Sequence, residues 1–471
     1  MRRVLAFILG AAVLLSSCAS PRARKVEGCP EIFPDYTFVT VPQTIAPLNF
    51  EVTDGEKVYV TASNGSMSIT ARGKYASFPQ RKWHKLLDGA QSLSLVVKAS
   101  VDGEWLEYEP FEIYVSADPI DATIVYRKLD PGYELYARMG IYQRELGSFK
   151  ERVVFENTRS NPGCVNCHSF AAGDPETAQM HFRGTNGGTL IKNGGAQSVY
   201  NMSNPLTLGT VYPYWHPDGR YLAYSVNDIR QSFHNIPSKV LEVYDLASDV
   251  VVFDTFEEKI LVYPELQDST RFETFPAFSP DGKTLYFCSA PASSDFSQIR
   301  YDLCCVDFDP STGQLVGDIR TLWSAEDRSA ALPRPSYDGK QLLFSMADYG
   351  NFLIWHQEAD LYVMDLESGD VQPAEALNSP DTESYHSWST NSKWVVFSSR
   401  RIDGRYTRPY IAYSRGDGTF GKPFQLPQRS PEADLLLLQS YNIPEFCKAT
   451  FQIDKRAVWN PEREKINAEI R

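Results

Sequence analysis

The chain reads as all-β, a propeller preceded by a small β-sandwich, and three observations support this. First, the second half repeats: YPYWHPDGRYLAYSVND at 212–228, FPAFSPDGKTLYFCSA at 275–290, LPRPSYDGKQLLFSMAD at 332–348 and YHSWSTNSKWVVFSSRR at 385–401 share one pattern. Each copy is a short strand, a tight turn and an alternating apolar strand. Second, a strand pair follows each copy, as in KVLEVYDLASDVVVF, ADLYVMDLESGDVQ and RPYIAYSRGDGTFGKPF, so the unit has four strands. Four strands recurring every ~50–65 residues is the pattern of propeller blades. Third, the turns have the right chemistry. Pro217-Asp218-Gly219 and Pro280-Asp281-Gly282 put proline where φ is held near −65° and glycine where φ is positive. The later copies drift to Tyr337-Asp338-Gly339 and Thr390-Asn391-Ser392 and keep turn-forming residues. Trp215, Phe278 and Trp388, one per first strand, are expected to pack between blades.

Residues 1–17 begin Met1-Arg2-Arg3, run apolar from Val4 to Leu15 and end in small residues. This is the layout of an export signal, too short to span a bilayer. Leu15-Ser16-Ser17-Cys18 resembles a bacterial lipobox, which implies lipid on Cys18 and a tether over 18–29. Ala19-Ser20 and the basic Arg22-Ala23-Arg24-Lys25, with no acidic cluster, resemble sorting signals of Bacteroidetes-type lipoproteins. The expected location is therefore the periplasmic face of the outer membrane. Residues 30–120, with KVYVTAS, LSLVVKASV and FEIYVSAD between turns at Asp54-Gly55, Asn64-Gly65 and Asp102-Gly103, suit an immunoglobulin-like β-sandwich. Residues 121–195 are expected to be a connector, 196–430 the propeller and 431–471 a tail available to close it. Four repeats are visible, and the expected ring has five or six blades.

Over roughly 185–430 these repeats resemble the WD-like blades of the TolB propeller family, which implies a propeller of about six blades. From about 120 onward the chain also resembles a group of Bacteroidetes lipoproteins that pair such a propeller with one haem-type motif. The segments that match are YELYARMGIYQREL, NPGCVNCHSF, ADYGNFLIWHQEADLY, TESYHSWS and QSYNIPEF.

Residues 164–168 read Cys-Val-Asn-Cys-His, the attachment signature of a c-type haem. Two thiols at this spacing can add to the two vinyl groups of one porphyrin, and the next residue offers an imidazole to the iron. Cys164 and Cys167 are the expected thioether residues of one covalent haem c, and His168 the proximal iron ligand. The flanking Asn161-Pro162-Gly163 and Ser169-Phe170 read as loop, unlike the helix start that a thioredoxin-type pair requires. The competing interpretation is a disulfide between Cys164 and Cys167. A zinc site lacks the second ligand pair it needs. For the distal ligand the candidates are His181 and Met180, which on a strand would face opposite ways. His181 is preferred because a second ring nitrogen can be anchored by a hydrogen bond. His234, His356 and His386 are more distant candidates, and His84 and His216 read as surface or turn residues.

The remaining cysteines, Cys29, Cys288, Cys304, Cys305 and Cys447, are odd in number, so one stays free. The formal charge of −13 argues against nucleic acid as a partner. No G-x-S-x-G is present, which excludes the hydrolase domain that some propellers carry. The expected function is a membrane-anchored c-type cytochrome module for single-electron transfer or redox sensing. Its partner would be an envelope or redox protein docked on the propeller or sandwich. The alternative is a non-haem envelope binding scaffold.

Overall fold

The computed structural model describes residues 20–130, 138–159, 163–184, 187–203, 209–236, 240–324, 326–459 and 464–471. The export signal and Cys18 lie outside the described residues. The chain divides into two compact units. One runs to Ala117 and takes in Pro427–Ala433; the other comprises Asp118–Leu426 and Asp434–Arg471. Among the described residues no helix is long and apolar enough to cross a membrane.

The first unit is built on Ser92–Val101, whose alternately buried residues are the period-2 signature of a strand with one covered face. Ten residues are enough for two partners along one edge. Ser92–Leu95 pairs with Phe111–Ser116, and Lys98–Val101 with Glu104–Glu107. The unit is therefore one forked seven-stranded sheet with a separate two-stranded ribbon, in place of the two facing sheets expected. Asp102 (φ 50°) and Gly103 (φ 79°) form its tightest hairpin, both in the left-handed region that a two-residue turn demands. Helix Gln80–Leu87, which the strand pattern did not anticipate, buries Trp83, Leu86 and Leu87. Arg24–Lys25, placed in the tether by sequence, pairs with Leu106–Glu107 as an edge strand. The Asn49 side-chain amide donates to the carbonyls of Gln428 (3.3 Å) and Arg429 (3.0 Å), and Lys74 pairs with Glu432, which hold the late segment in this unit.

The second unit is a six-bladed ring. Its inner strands are Val165–Phe170, Thr210–Trp215, Arg271–Phe278, Ser329–Pro335, Glu383–Trp388 and Ser440–Cys447. Each touches the next, and Ser440–Cys447 touches both Glu383–Trp388 and Val165–Phe170, which closes the circle. The closing blade is composite: Ser440–Cys447 pairs with Thr123–Leu129, followed outward by Met139–Glu145 and Glu151–Glu156. Residues 121–195 are therefore not a connector. They supply the three outer strands of this first blade and most of the second, and the 431–471 tail supplies the closing strand. After closure the chain adds Ile466–Asn467 to the edge of the second blade and Glu469–Ile470 to the third, both parallel.

Between blades the expected aromatics pack as cores. The Trp215 indole donates to the Ser169 carbonyl (3.2 Å) and the Trp388 indole to that of Arg334 (3.0 Å), each across to the preceding blade. Phe278 is buried among Tyr221, Leu285 and Phe308. At the four repeat turns Gly219, Gly282, Gly339 and Ser392 have φ of 77°, 72°, 72° and 60°, as the turn chemistry requires.

Candidate functional site: a channel with six equivalent bulges

Every inner strand has one non-glycine residue with positive φ: Cys167 (30°), Tyr212 (50°), Phe275 (54°), Leu332 (57°), Tyr385 (34°) and Ile443 (52°). At each, the register to the second strand slips, which marks a β-bulge. The following residue is Pro213, Pro276, Pro333 or Pro444 in four blades and His168 or His386 in two. Proline suits a position whose N–H leaves the ladder at the bulge. Cys167-His168-Ser169-Phe170 thus occupies the same ring position as Tyr385-His386-Ser387-Trp388. The C-x-x-C-H run is not a loop, because Val165–Phe170 is the innermost strand of the second blade.

His168 Nε2 lies 3.2 Å from the carbonyl of Val125, on the second strand of the preceding blade. His386 Nε2 lies 2.9 Å from the carbonyl of Leu343, at the same place in its own preceding blade. The two imidazoles are equally buried, and burial pushes both down to about 3, so each is neutral and can donate from Nε2. In both rings Nδ1 is buried without a hydrogen bond. His168 therefore joins two blades, as His386 does in a blade without cysteines.

Four of the bulge residues, Cys167, Tyr212, Tyr385 and Ile443, line both a smaller cavity of about 190 Å³ and a wider chamber of about 1110 Å³. Cys164, Cys167 and His181 line the wider chamber, whereas His168 lines the smaller cavity. His181 sits on strand Ala178–Phe182 opposite Asn166, and Met180 opposite His168. Alternation then sends His181 and Met180 to opposite faces, as expected. Met180 is fully buried in the core between the first two blades. His181 faces the chamber side with Nδ1 2.9 Å from Thr189 Oγ1, and burial pushes its imidazole down to about 3. The neutral ring keeps Nε2 as its other nitrogen.

The implied haem can be tested against these residues. The attachment side fits: both thiols face a chamber larger than most small-molecule sites, with an anchored imidazole on the same wall. The proximal side does not fit, because His168 is turned into the blade wall, on the face opposite His181. Among the described residues no three His, Cys, Asp or Glu side chains are grouped to hold a bare metal ion.

All seven described cysteines are free thiols, so Cys164 and Cys167 are not bridged. Burial pushes both Cys164 and Cys167 upward, with Arg127 and Arg183 acting against it. Cys288 faces Leu303 while Cys304 and Cys305 face Phe287 and Tyr286, so these three are buried apolar residues of adjacent strands. His216 is not a surface residue: it is 3% exposed, and its Nε2 lies 2.9 Å from the Gly282 carbonyl at the next blade's turn. His356 is buried beside Glu358 (3.1 Å), and His234 lines the chamber beside Glu242 (2.6 Å).

In the smaller cavity Glu445 and Arg334 share the wall. The Glu445 carboxylate accepts from the Phe170 N–H (3.0 Å), and burial pushes it up from 4.5 to about 8. A carboxyl raised in the folded state favours folding below its unfolded value. That stability is lost as pH rises through about 8. Glu445→Gln, which retains the acceptor, is expected to remove this fall. Urea midpoints at about pH 5 and pH 9 should show the variant gaining on the parent chain at the higher pH. A pH-independent difference would refute the assignment.

The bulges escaped the sequence analysis, although their signal was present: YP, FP, LP, YH and IP align with the CH of the motif. No protein-family model matches the chain, and no curated protein matches it. Among solved structures, a chain of the nidogen/laminin complex is 9% identical, with TM-score 0.43 over 70% of this chain and 100% of that one. Oligogalacturonate lyase from Vibrio parahaemolyticus is 11% identical, with TM-score 0.38 over 62% and 71%. Prolyl oligopeptidase B from Galerina marginata is 10% identical, with TM-score 0.37 over 70% of this chain and 42% of that one. At these values the six-bladed assignment stands on the strand order of the chain itself.

Proposed function

We propose that the wider chamber holds one haem c joined to Cys164 and Cys167. The protein would then be a lipid-anchored periplasmic electron carrier or redox sensor of the TolB-like lipoprotein type, with an envelope redox partner docked on the ring or the first unit. The observation that carries this reading is that both thiols of the C-x-x-C-H run and the anchored His181 line one chamber of about 1110 Å³. When bound, the iron supplies one-electron chemistry. His181, neutral and fixed through Nδ1, is the imidazole on the thiols' side of the blade, so the role first given to His168 passes to His181. Tyr212, Tyr385 and Trp355 provide flat walls.

A second reading is a ring that binds a non-haem ligand, with Cys164 and Cys167 as buried thiols. The His168–His386 equivalence favours it, because the histidine of the motif then has a structural explanation.

Haem staining and a reduced-minus-oxidised spectrum decide between them, on full-length protein made with a cytochrome c maturation apparatus. The expected result is a covalent band that the Cys164→Ala/Cys167→Ala variant lacks. The imidazole–iron spectrum should survive His168→Pro, the residue four other blades use, and be lost in His181→Ala. Loss in His168→Pro with retention in His181→Ala would return iron ligation to His168. A colourless wild-type protein would leave the non-haem ring.

A further inference from the structure

The wider chamber has a charge pattern opposite to that of the chain. Its described lining includes Arg127, Arg138, Arg183, Arg400, Arg405 and Lys465, against the single carboxylate Asp130, in a protein of formal charge −13. Arg400 is 2% exposed and is fixed in place. Its Nε donates to the Ile354 carbonyl and its Nη1 to that of Arg405, both at 2.7 Å, and its guanidinium lies 3.2 Å from the centre of the Trp355 ring. Its Nη2 has no hydrogen-bond partner among the described residues, which leaves an oriented donor at the chamber wall. Arg183 and Arg405 are exposed there without an ion-pair partner among the described residues. Arg183 is positioned by the motif itself: its N–H donates to the Cys164 carbonyl (2.8 Å), and a side chain at Gly163 would collide with its carbonyl oxygen.

Guanidinium groups without carboxylate partners on one chamber wall present several N–H donors of one charge, which an anion with planar acid groups can satisfy through paired hydrogen bonds. Between the cations the wall is aromatic and apolar, with Tyr212, Phe233, Phe352, Trp355 and Tyr385. We infer that the chamber recognises an organic dianion with a flat apolar body, its carboxylates held by Arg183, Arg400 and Arg405. The acid groups of a tetrapyrrole and those of a smaller aromatic acid share this chemistry. The recognition is independent of any thioether bond and so extends beyond the haem reading.

The test uses the full chain with Cys164→Ala/Cys167→Ala, which cannot attach a porphyrin covalently. Fluorescence titration compares protoporphyrin IX with its dimethyl ester, and calorimetry follows naphthalene-2,6-dicarboxylate. At least one diacid is expected to bind. Its affinity should fall more than about tenfold on Arg183→Gln/Arg405→Gln, recover only in part with lysine at both positions, and weaken as salt rises. Binding of the porphyrin diacid alone assigns a tetrapyrrole, and binding of the naphthalene diacid alone a smaller acid. The ester binding as tightly as the diacid, unchanged affinity in the glutamine variant, or no binding of either diacid overturns the inference. A failed haem stain with intact diacid binding would remove only the haem reading.

Discussion

Ending the chain at Gln439 is expected to abolish cooperative folding of the ring. The deletion removes Ser440–Cys447, the inner strand of the first blade, and with it the ladder to Thr123–Leu129 from Ser440↔Leu129 to Cys447↔Thr123. It strips Phe446, which is 1% exposed, and the fully buried Cys447 from the core, and leaves the edge of Thr123–Leu129 unpaired at the channel. An unpaired apolar edge in a sheet is a template for aggregation. The expected result is loss of the near-ultraviolet circular dichroism transition and recovery of the protein as aggregate. A truncated chain that melts at the parent temperature would show that the ring closes without this strand.

The second large effect is expected at Arg408, a guanidinium only 1% exposed. It donates to four carbonyls: Thr407 (3.1 Å), Gln439 (2.7 Å), Asp434 (2.6 Å) and Leu437 (2.8 Å). Three of these belong to the segment that leads into the closing strand, so one side chain of the sixth blade sets the path by which the chain returns to the first. Arg408→Met keeps the bulk of the stem and leaves those carbonyls buried without a donor. Unsatisfied buried acceptors cost roughly 1–3 kcal/mol each, and the uncompensated loss should total about 3–5 kcal/mol in urea unfolding. Lysine at 408, with charge but no planar fork, should fall between. A loss below about 1 kcal/mol would mean that the segment is held by other contacts, such as those of Thr407 Oγ1 to Tyr441 and Asn442.

The same closure explains why two blades were not recognised from sequence. The first blade joins strands from near residues 123–156 to a strand at 440–447, so no contiguous window contains its repeat. The second blade takes its first four strands from consecutive chain but turns through Ala172 (φ 46°) and Gly173 (φ 70°) without the Pro-Asp-Gly signature. Its first strand, Val165–Phe170, carries the end of the C-x-x-C-H run where the repeats have YP, FP, LP or YH.

The local patterns were legible because they depend on near neighbours alone: alternation gave the strands, Pro-Asp-Gly the turns, and cysteine spacing the thiols. Strand alternation correctly separated His181 from Met180, since successive side chains on a strand must take opposite faces. The sequence by itself thus determined the all-β class, the repeated unit and the candidate thiols. Tertiary structure alone decided which imidazole shares a chamber with them. His168 is adjacent to Cys167 in sequence, yet the bulge turns it toward the carbonyl of Val125, while His181, 14 residues beyond Cys167, is returned by a hairpin to the chamber wall. The chamber's cations were equally invisible, because Arg127, Arg183, Arg400 and Arg405 are scattered along the chain and meet only when six blades close around one axis.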